Sequence, residues 1–430
     1  MRILVVGGGG REHALCWALK RDTPEATLFT APGNPGTAAL GTNLGIPATA
    51  VDALVATAAA QRVDLVLVGP EAPLAAGLAD RLRAAGRPVF GPTQAAARLE
   101  SSKAFAKEVM QRAGVPTAPS RTFRELEPAL AYIAAAPPSE PLVVKASGLA
   151  GGKGAVVCVT RAEAQRTARA MLGQGAFGDA GREIVVEEFL AGEELSVLAL
   201  TDGERIVILP PVQDHKRLLE GDAGPNTGGM GAYCPVGLVT DALLERVRRE
   251  VLEPTLQEMA ARGTPYQGAL YAGLMLVPNG TPYVLEFNCR FGDPEAQAVL
   301  PVLPRGVTAQ FAAIAGGGWR PDRDAIPPTG AAVTTVLAAR GYPEQPEVGA
   351  AIQLPPDLGS DVLLFHAGTA RDADGTLRVA GGRVLAVTGL AASVPAAAQR
   401  SAAGAAGIAF EGKAYRRDIG WREVARAGTP

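Results

Sequence analysis

A chain of 430 residues, 47% hydrophobic and 20% charged, is too long for one ordinary core and too apolar to be disordered, so about three domains are expected. A formal net charge of -2 offers no general basic field for nucleic acid or anionic lipid, and any anion must be met by local groups. No apolar run approaches the ~20 residues that a membrane helix needs, and glycines cut short the apolar start, so a cytoplasmic protein that engages neither membrane nor nucleic acid is expected.

RILVV at residues 2–6 reads as a strand, GGGG at 7–10 as a tight turn and residues 11–20 as a helix, with further strands near Ala26, Val63 and Pro88. That alternation predicts a Rossmann-like parallel α/β unit over 1–101, with ligands at the glycine-lined turns of its carboxyl edge. Ser101 and Ser102 can cap a helix over 103–112, stopped by Gly114 and Pro116, which opens a second unit over 102–320. Within it, a subdomain at about 118–190 reads strand (141–146), glycine turn, strand (155–160), helix (161–172) and strand (183–189). A proline-rich linker at 321–328 leads to a third unit over 328–430. AAVTTVLAA, DVLLFHAG, TLRVAGG and RVLAVTG predict short, mostly antiparallel strands there, with an Ala-rich helix at 394–406. Cys16, Cys158, Cys234 and Cys289 lack CxxC spacing, and His13, His215 and His366 form no HExxH pattern, so buried thiols rather than zinc chemistry are expected.

Three segments carry chemistry. KASGLAGGKGA at 145–155 joins two strands by a loop with four glycines, whose N–H groups can approach a polyphosphate while Lys145 and Lys153 add charge. It is not a Walker A loop, because Gly154 stands where Ser or Thr must follow the lysine. VVEEFLAGEELSV at 185–197 offers backbone for an adenine edge and acids for ribose hydroxyls, or else is an exposed acidic turn. In PYVLEFNCRFGDPEAQ, Glu286 and Asn288 fall two apart on one strand face as hard oxygen donors for Mg²⁺, and Arg290 continues that face toward a phosphoryl group.

In this order, the three segments resemble an ATP-grasp enzyme. GGGGREHAL, KASGLAGGKG, QDHKR, GPNTGGMGAY, LYAGLM, RFGDPEAQ and FHAGT together resemble the glycinamide ribonucleotide synthetase family along the whole chain. The resemblance implies ATP-grasp central domains with a mobile lid at about 118–190, between the Rossmann-like domain and a small antiparallel α+β domain. It implies a monomer that ligates glycine to 5-phosphoribosylamine in purine synthesis, with ATP and Mg²⁺ or Mn²⁺, through glycyl phosphate. By the family's pattern, Lys103 and Lys145 would meet the ATP phosphates, Gly151, Gly152 and Lys153 would form the closing loop, and Glu194 would hold the ribose. Glu187 and the backbone of Phe189 and Leu190 would face the adenine. Glu286 and Asn288 would hold the metal and Arg290 would be the electrophile. Gly9, Gly10, Arg11 and Glu12 would cradle the substrate phosphate, and Glu71 would bind its ribose. Asp214, Lys216, Thr227, Gly228 and Asp293 would surround glycine and the acyl phosphate. Many relatives in the wider superfamily carry a second metal carboxylate on the preceding strand, at a place matched here by about Leu276.

Competing readings separate on details. A dinucleotide-dependent oxidoreductase needs GxGxxG, but Glu12 stands where the third glycine belongs. Another ATP-grasp member, a carboxylase or formate-dependent transferase on a phosphoribosyl substrate, differs only in its substrate-side motifs. A nucleotide sensor would bind without turnover.

Overall fold

The structure, a computed structural model, describes residues 1–137, 139–152 and 154–428. At the N-terminus, strand Arg2–Gly7 is central in a parallel sheet, with Thr27–Pro32 and Thr42–Asn43 on one side and Leu65–Val68 and Val89–Phe90 on the other. Ile3, Leu4, Val5 and Val6 are fully buried, the continuous apolar run of a strand covered on both faces. Strand order reverses between Arg2–Gly7 and Leu65–Val68, which makes a crevice at their carboxyl ends. Helix Gly10–Asp22 brings Arg11 to that crevice from one strand, and helix Glu71–Ala75 brings Glu71 from the other.

A second, antiparallel sheet has the order Ser120–Phe123, Ile184–Glu188, Leu142–Ala146, Ala155–Cys158. It packs on helices Leu126–Ala135 and Arg161–Ala168 around its own small core of Phe123, Leu130, Ile133, Val144 and Ile184. The glycine-rich loop closes the hairpin between its last two strands, where Lys145 lies across from Ala155. This core is separate from those of the other sheets.

The third sheet runs Ile206–Ile208, Glu193–Thr201, Gly268–Leu276, Pro282–Asn288, all antiparallel. Its register puts Asn288 across from Tyr271 and Glu286 across from Gly273, with an irregularity at Gly273–Leu274. Leu276 lies across from Pro282, at the far end of the strand pair. The sequence-based placement of the missing second carboxylate at Leu276 is therefore wrong in register. The position facing Glu286 is Gly273, and the nearest polar side chain on that strand is Tyr271.

The fourth sheet is antiparallel, in the order Gln213–Asp214, Gly231–Cys234, Ala331–Ala338, Arg383–Ala391, Val362–His366. Helix Val394–Gly407 packs on it, and Thr334 and Thr388 share a cross-strand hydroxyl hydrogen bond of 2.8 Å. Two of its strands come from the middle of the chain, so the limits at 320 and 328 do not separate closed sheets. The linker at 321–328 lies along the edge of the third sheet, where Ile326 N donates to Ile208 O at 2.9 Å. The four cysteines are unpaired and buried. Among the described residues no single helix is long and apolar enough to cross a membrane.

Candidate active site

The four sheets meet around a cleft of about 410 Å³, a size that suits a small-molecule ligand. At one wall stands helix Lys103–Ala113, begun by Ser102, whose Oγ accepts from Phe105 N at 3.2 Å. Ser147 ties this helix to the second sheet: its carbonyl accepts from Lys103 N at 2.8 Å and its Oγ from Ala104 N at 3.1 Å. Lys103 lines the cleft and forms no side-chain ion pair or hydrogen bond among the described residues. Burial lowers its pKa and Glu286 opposes that shift, leaving an ammonium that gains most from an incoming anion.

Lys145 also lines the cleft, but its ammonium is engaged twice, by Leu285 O at 3.0 Å and by Glu187. Glu187 is 2% exposed and pairs as well with Lys107 at 2.5 Å. Lys107 in turn donates to Thr117 Oγ1 at 2.7 Å and Ala118 O at 3.2 Å, in the segment that enters the second sheet. Removing one partner of a buried ion pair leaves a charge uncompensated. Lys107→Met should therefore lower stability by about 3 kcal/mol, read from the urea midpoint, and a change under ~0.5 kcal/mol would show the pair to be solvated.

Strand Pro282–Asn288 projects Glu286 and Asn288 into the cleft. Burial works against the Glu286 charge, yet Lys216, Lys103, Lys145 and Arg290 hold its carboxyl below the usual range. The strand stops at Asn288, and Arg290 follows in a bend, still facing the cleft. Its Nη2 donates to Glu100 Oε1 at 2.6 Å, and its Nε to Glu71 Oε2 at 3.3 Å. Burial disfavours the guanidinium charge, but these two carboxylates outweigh it and raise its pKa further. Glu100 also accepts from Cys289 N at 2.8 Å, which fixes the bend itself.

On another wall, Asp214 and Lys216 approach to 3.4 Å, and Lys216 also pairs with Glu194. Burial pushes the Asp214 carboxyl up to about 6 despite Lys216, with Glu295 and Glu194 adding to the push. Tyr271 Oη donates to Glu295 Oε1 at 3.0 Å beside them. Thr227 and Gly228 line the same wall, where Thr227 Oγ1 donates to Lys216 O at 2.9 Å. Asp293 is held ionised by Arg383 and Arg11 in spite of its burial.

The cleft thus gathers Arg11, Glu71, Lys103, Lys145, Gly151 and Gly152 with Asp214, Lys216, Thr227, Gly228, Glu286, Asn288, Arg290 and Asp293. It leaves out other expected residues, each for a physical reason. The Gly9 N–H, expected to be free for a phosphate, donates to Glu12 Oε2 at 2.6 Å. Glu12 is 2% exposed and paired with Arg11, so a carboxylate caps the helix start where Gly9 and Gly10 were to bind an anion. Of that turn only Arg11 reaches the cleft. Glu187 is turned into the lysine pair rather than toward an adenine edge. Glu194 is engaged by Lys216 outside the cleft wall. Phe189 and Leu190 lie outside it too, and neither makes a backbone hydrogen bond among the described residues. Lys153 lies outside the described residues. Sequence reading missed Glu100, Lys107, Tyr271, Glu295 and Arg383, all in the cleft wall. None belongs to a local metal or phosphate pattern, although Glu295 ends the RFGDPE motif already singled out.

Comparison with known proteins bears on the whole chain. Phosphoribosylglycinamide synthetase domains match it in succession: the N domain over 1–100, the ATP-grasp (A) domain over 101–296 and the C domain over 332–422. The chain belongs to the phosphoribosylglycinamide synthetase family. A phosphoribosylamine--glycine ligase of Ralstonia nicotianae is 49% identical over 433 residues, covering 99% of this chain and 100% of that protein. The human trifunctional purine biosynthetic protein adenosine-3 is 47% identical over 432 residues, covering 99% of this chain and 42% of that protein. Among solved structures, the phosphoribosylamine--glycine ligase of Thermotoga maritima superposes with a TM-score of 0.86 at 35% identity, covering 97% of this chain and all of that one. The biotin carboxylase domain of Hydrogenobacter thermophilus 2-oxoglutarate carboxylase, at 18% identity and a TM-score of 0.74 over 96% of this chain and 91% of that one, shares the fold. In this member of the phosphoribosylglycinamide synthetase family, the glycine-rich loop and the Glu286 strand therefore belong to an ATP-grasp core.

Proposed function

We propose that the chain ligates glycine to 5-phosphoribosylamine with ATP, giving glycinamide ribonucleotide, ADP and phosphate through glycyl phosphate, in de novo purine synthesis. The observation that carries this is one cleft whose wall holds Lys103, Lys145, Arg290, Glu286 and Asn288 together with Asp214, Asp293 and Glu71. An amine mixed with a carboxylate only exchanges a proton, so the carboxylate must first become an acyl phosphate. The residues then have to position the reactants, offset phosphate charge and exclude water.

Lys103 and Lys145 suit the phosphates and Arg290 the transferring group, its fork already oriented by Glu100 and Glu71. The exposed backbone at Gly151 and Gly152 closes over them. The backbone of Phe189 and Leu190, without hydrogen bonds among the described residues, is available to an adenine edge, and Glu194 to a ribose hydroxyl once Lys216 releases it. Asp214 suits the glycine ammonium and Lys216 its carboxylate, with Thr227, Gly228 and Asp293 closing the wall. Of the Gly9–Glu12 turn, Arg11 is the group left to meet the substrate phosphate, and Glu71 takes the ribose.

Glu286 and Asn288 fit a divalent ion by the chemistry of their donors, an ionised carboxylate and an amide oxygen. Among the described residues no group of three or more His, Cys, Asp or Glu side chains converges. Mg²⁺ or Mn²⁺ held there would take its other ligands from phosphates and water and would offset phosphate charge. Four unpaired, buried thiols fit the reducing cytoplasm.

A coupled ADP assay with each substrate omitted in turn tests the reading: ADP release should require glycine and phosphoribosylamine together. Release with bicarbonate in place of glycine would favour a carboxylase. The raised Asp214 carboxyl adds a pH signature. Its charge is present above about 6 and lost below, so the KM for glycine should rise as pH falls from 8 to 5 through about that value. Asp214→Asn should hold a high, pH-independent KM, and an unchanged profile would remove Asp214 from the glycine subsite.

A further inference from the structure

The C-terminal segment sends two side chains to the rim of this cleft. Arg383 opens strand Arg383–Ala391, and its Nη1 donates to Gly228 O and to Asp293 O, both at 2.6 Å. Its Nη2 lies 3.4 Å from Asp293 Oδ2. Tyr342 Oη accepts from Gly228 N at 3.0 Å. Both backbone polar groups of Gly228 are thus held from outside the ATP-grasp sheets.

The fit is close. A Cβ on Gly228 would lie 3.2 Å from Arg383 Cζ and 3.3 Å from Tyr342 Oη. Gly229, at φ +110°, is in a conformation that L side chains rarely adopt, and a side chain there would overlap Pro294. From the other side of the cleft comes the glycine-rich loop: a Cβ on Gly152 would sit 3.9 Å from Gly228 Cα and from Thr227 O. Gly152, in the glycine-rich loop, therefore faces the backbone held by Arg383 and Tyr342 across a gap that one methyl group would fill.

We propose that Arg383 and Tyr342 are positioning residues that hold Thr227–Gly229 as the seat on which the glycine-rich loop closes. The C-terminal segment then decides whether glycyl phosphate meets the amine or water. This rests on the carboxylate-activation reading above. With a loosened seat, a water oxygen attacks the carbonyl carbon, the carbon–oxygen bond to phosphate breaks, and phosphate leaves with glycine regenerated. ADP and phosphate then accumulate without ligated product.

The test measures product and ADP separately in the full chain, for wild type, Tyr342→Phe, Arg383→Lys and Arg383→Gln. Wild type should give one product per ADP. Tyr342→Phe and Arg383→Gln should lose about tenfold in product formation while ADP release falls less than about threefold. Arg383→Lys, which keeps a donor for one carbonyl, should stay better coupled than Arg383→Gln. Tyr342→Phe removes a single hydroxyl, so an unchanged thermal midpoint separates uncoupling from misfolding. Variants that slow but keep one product per ADP would overturn the proposal while leaving the reaction assignment intact. A wild type that releases no ADP with both substrates would sink the reaction assignment and this proposal with it.

Discussion

Glu286→Gln is expected to lower turnover about 10²–10³-fold and to weaken ATP binding only when a divalent ion is present. The substitution keeps the shape of the side chain and removes its charge. That charge is held by Lys216, Lys103, Lys145 and Arg290 against the effect of burial, so the neutral amide alters the field at the centre of the cleft. The isostere also withdraws the one anionic donor on strand Pro282–Asn288 and leaves Asn288 alone as an oxygen donor for the proposed ion. Steady-state turnover, with ATP titrations in the presence and absence of Mg²⁺, checks both halves. Wild-type activity in this variant would sink the metal assignment.

Arg290→Lys is expected to reduce turnover about 10²-fold while ATP affinity changes less than about threefold. The guanidinium bridges Glu100 at 2.6 Å and Glu71 at 3.3 Å, and a point charge cannot span both. Burial already raises the Glu100 pKa, so a poorer partner lets that carboxyl take up a proton, and the bend at Cys289 loses its anchor. Comparing kcat with the ATP dissociation constant decides the case. Equal losses in both would show that Arg290 binds nucleotide without acting in transfer.

Much of the architecture was legible because it is local. The alternation of strand and helix at the start, the glycine hairpin after Lys145 and the antiparallel strands of the last third all depend on near neighbours in sequence, and all are present. Register was not legible: an irregularity at Gly273–Leu274 shifts the pairing, and nothing in YAGLMLV announces it. The Glu286, Asn288 and Arg290 trio was readable from two-residue spacing, although Arg290 keeps its direction through Glu100, 190 residues earlier, rather than through the strand. Glu187 was misplaced for the same kind of reason, since the lysine that turns it inward sits on a helix belonging to another part of the fold. The glycine turn at residues 7–10 looked like an anion site because a helix start offers free N–H groups, and the sequence does not announce that Glu12, three residues on, takes the Gly9 N–H.

The borrowed strands Gln213–Asp214 and Gly231–Cys234 bear on how such a gene can be rearranged. A chain cut at the linker would strip Gly231–Cys234 of its pairing with Ala331–Ala338 and leave the residues beside Asp214 on a raw edge prone to join other chains. The last hundred residues are therefore not an appendix that recombination can trade away. That sheet is complete only in a chain that carries both parts.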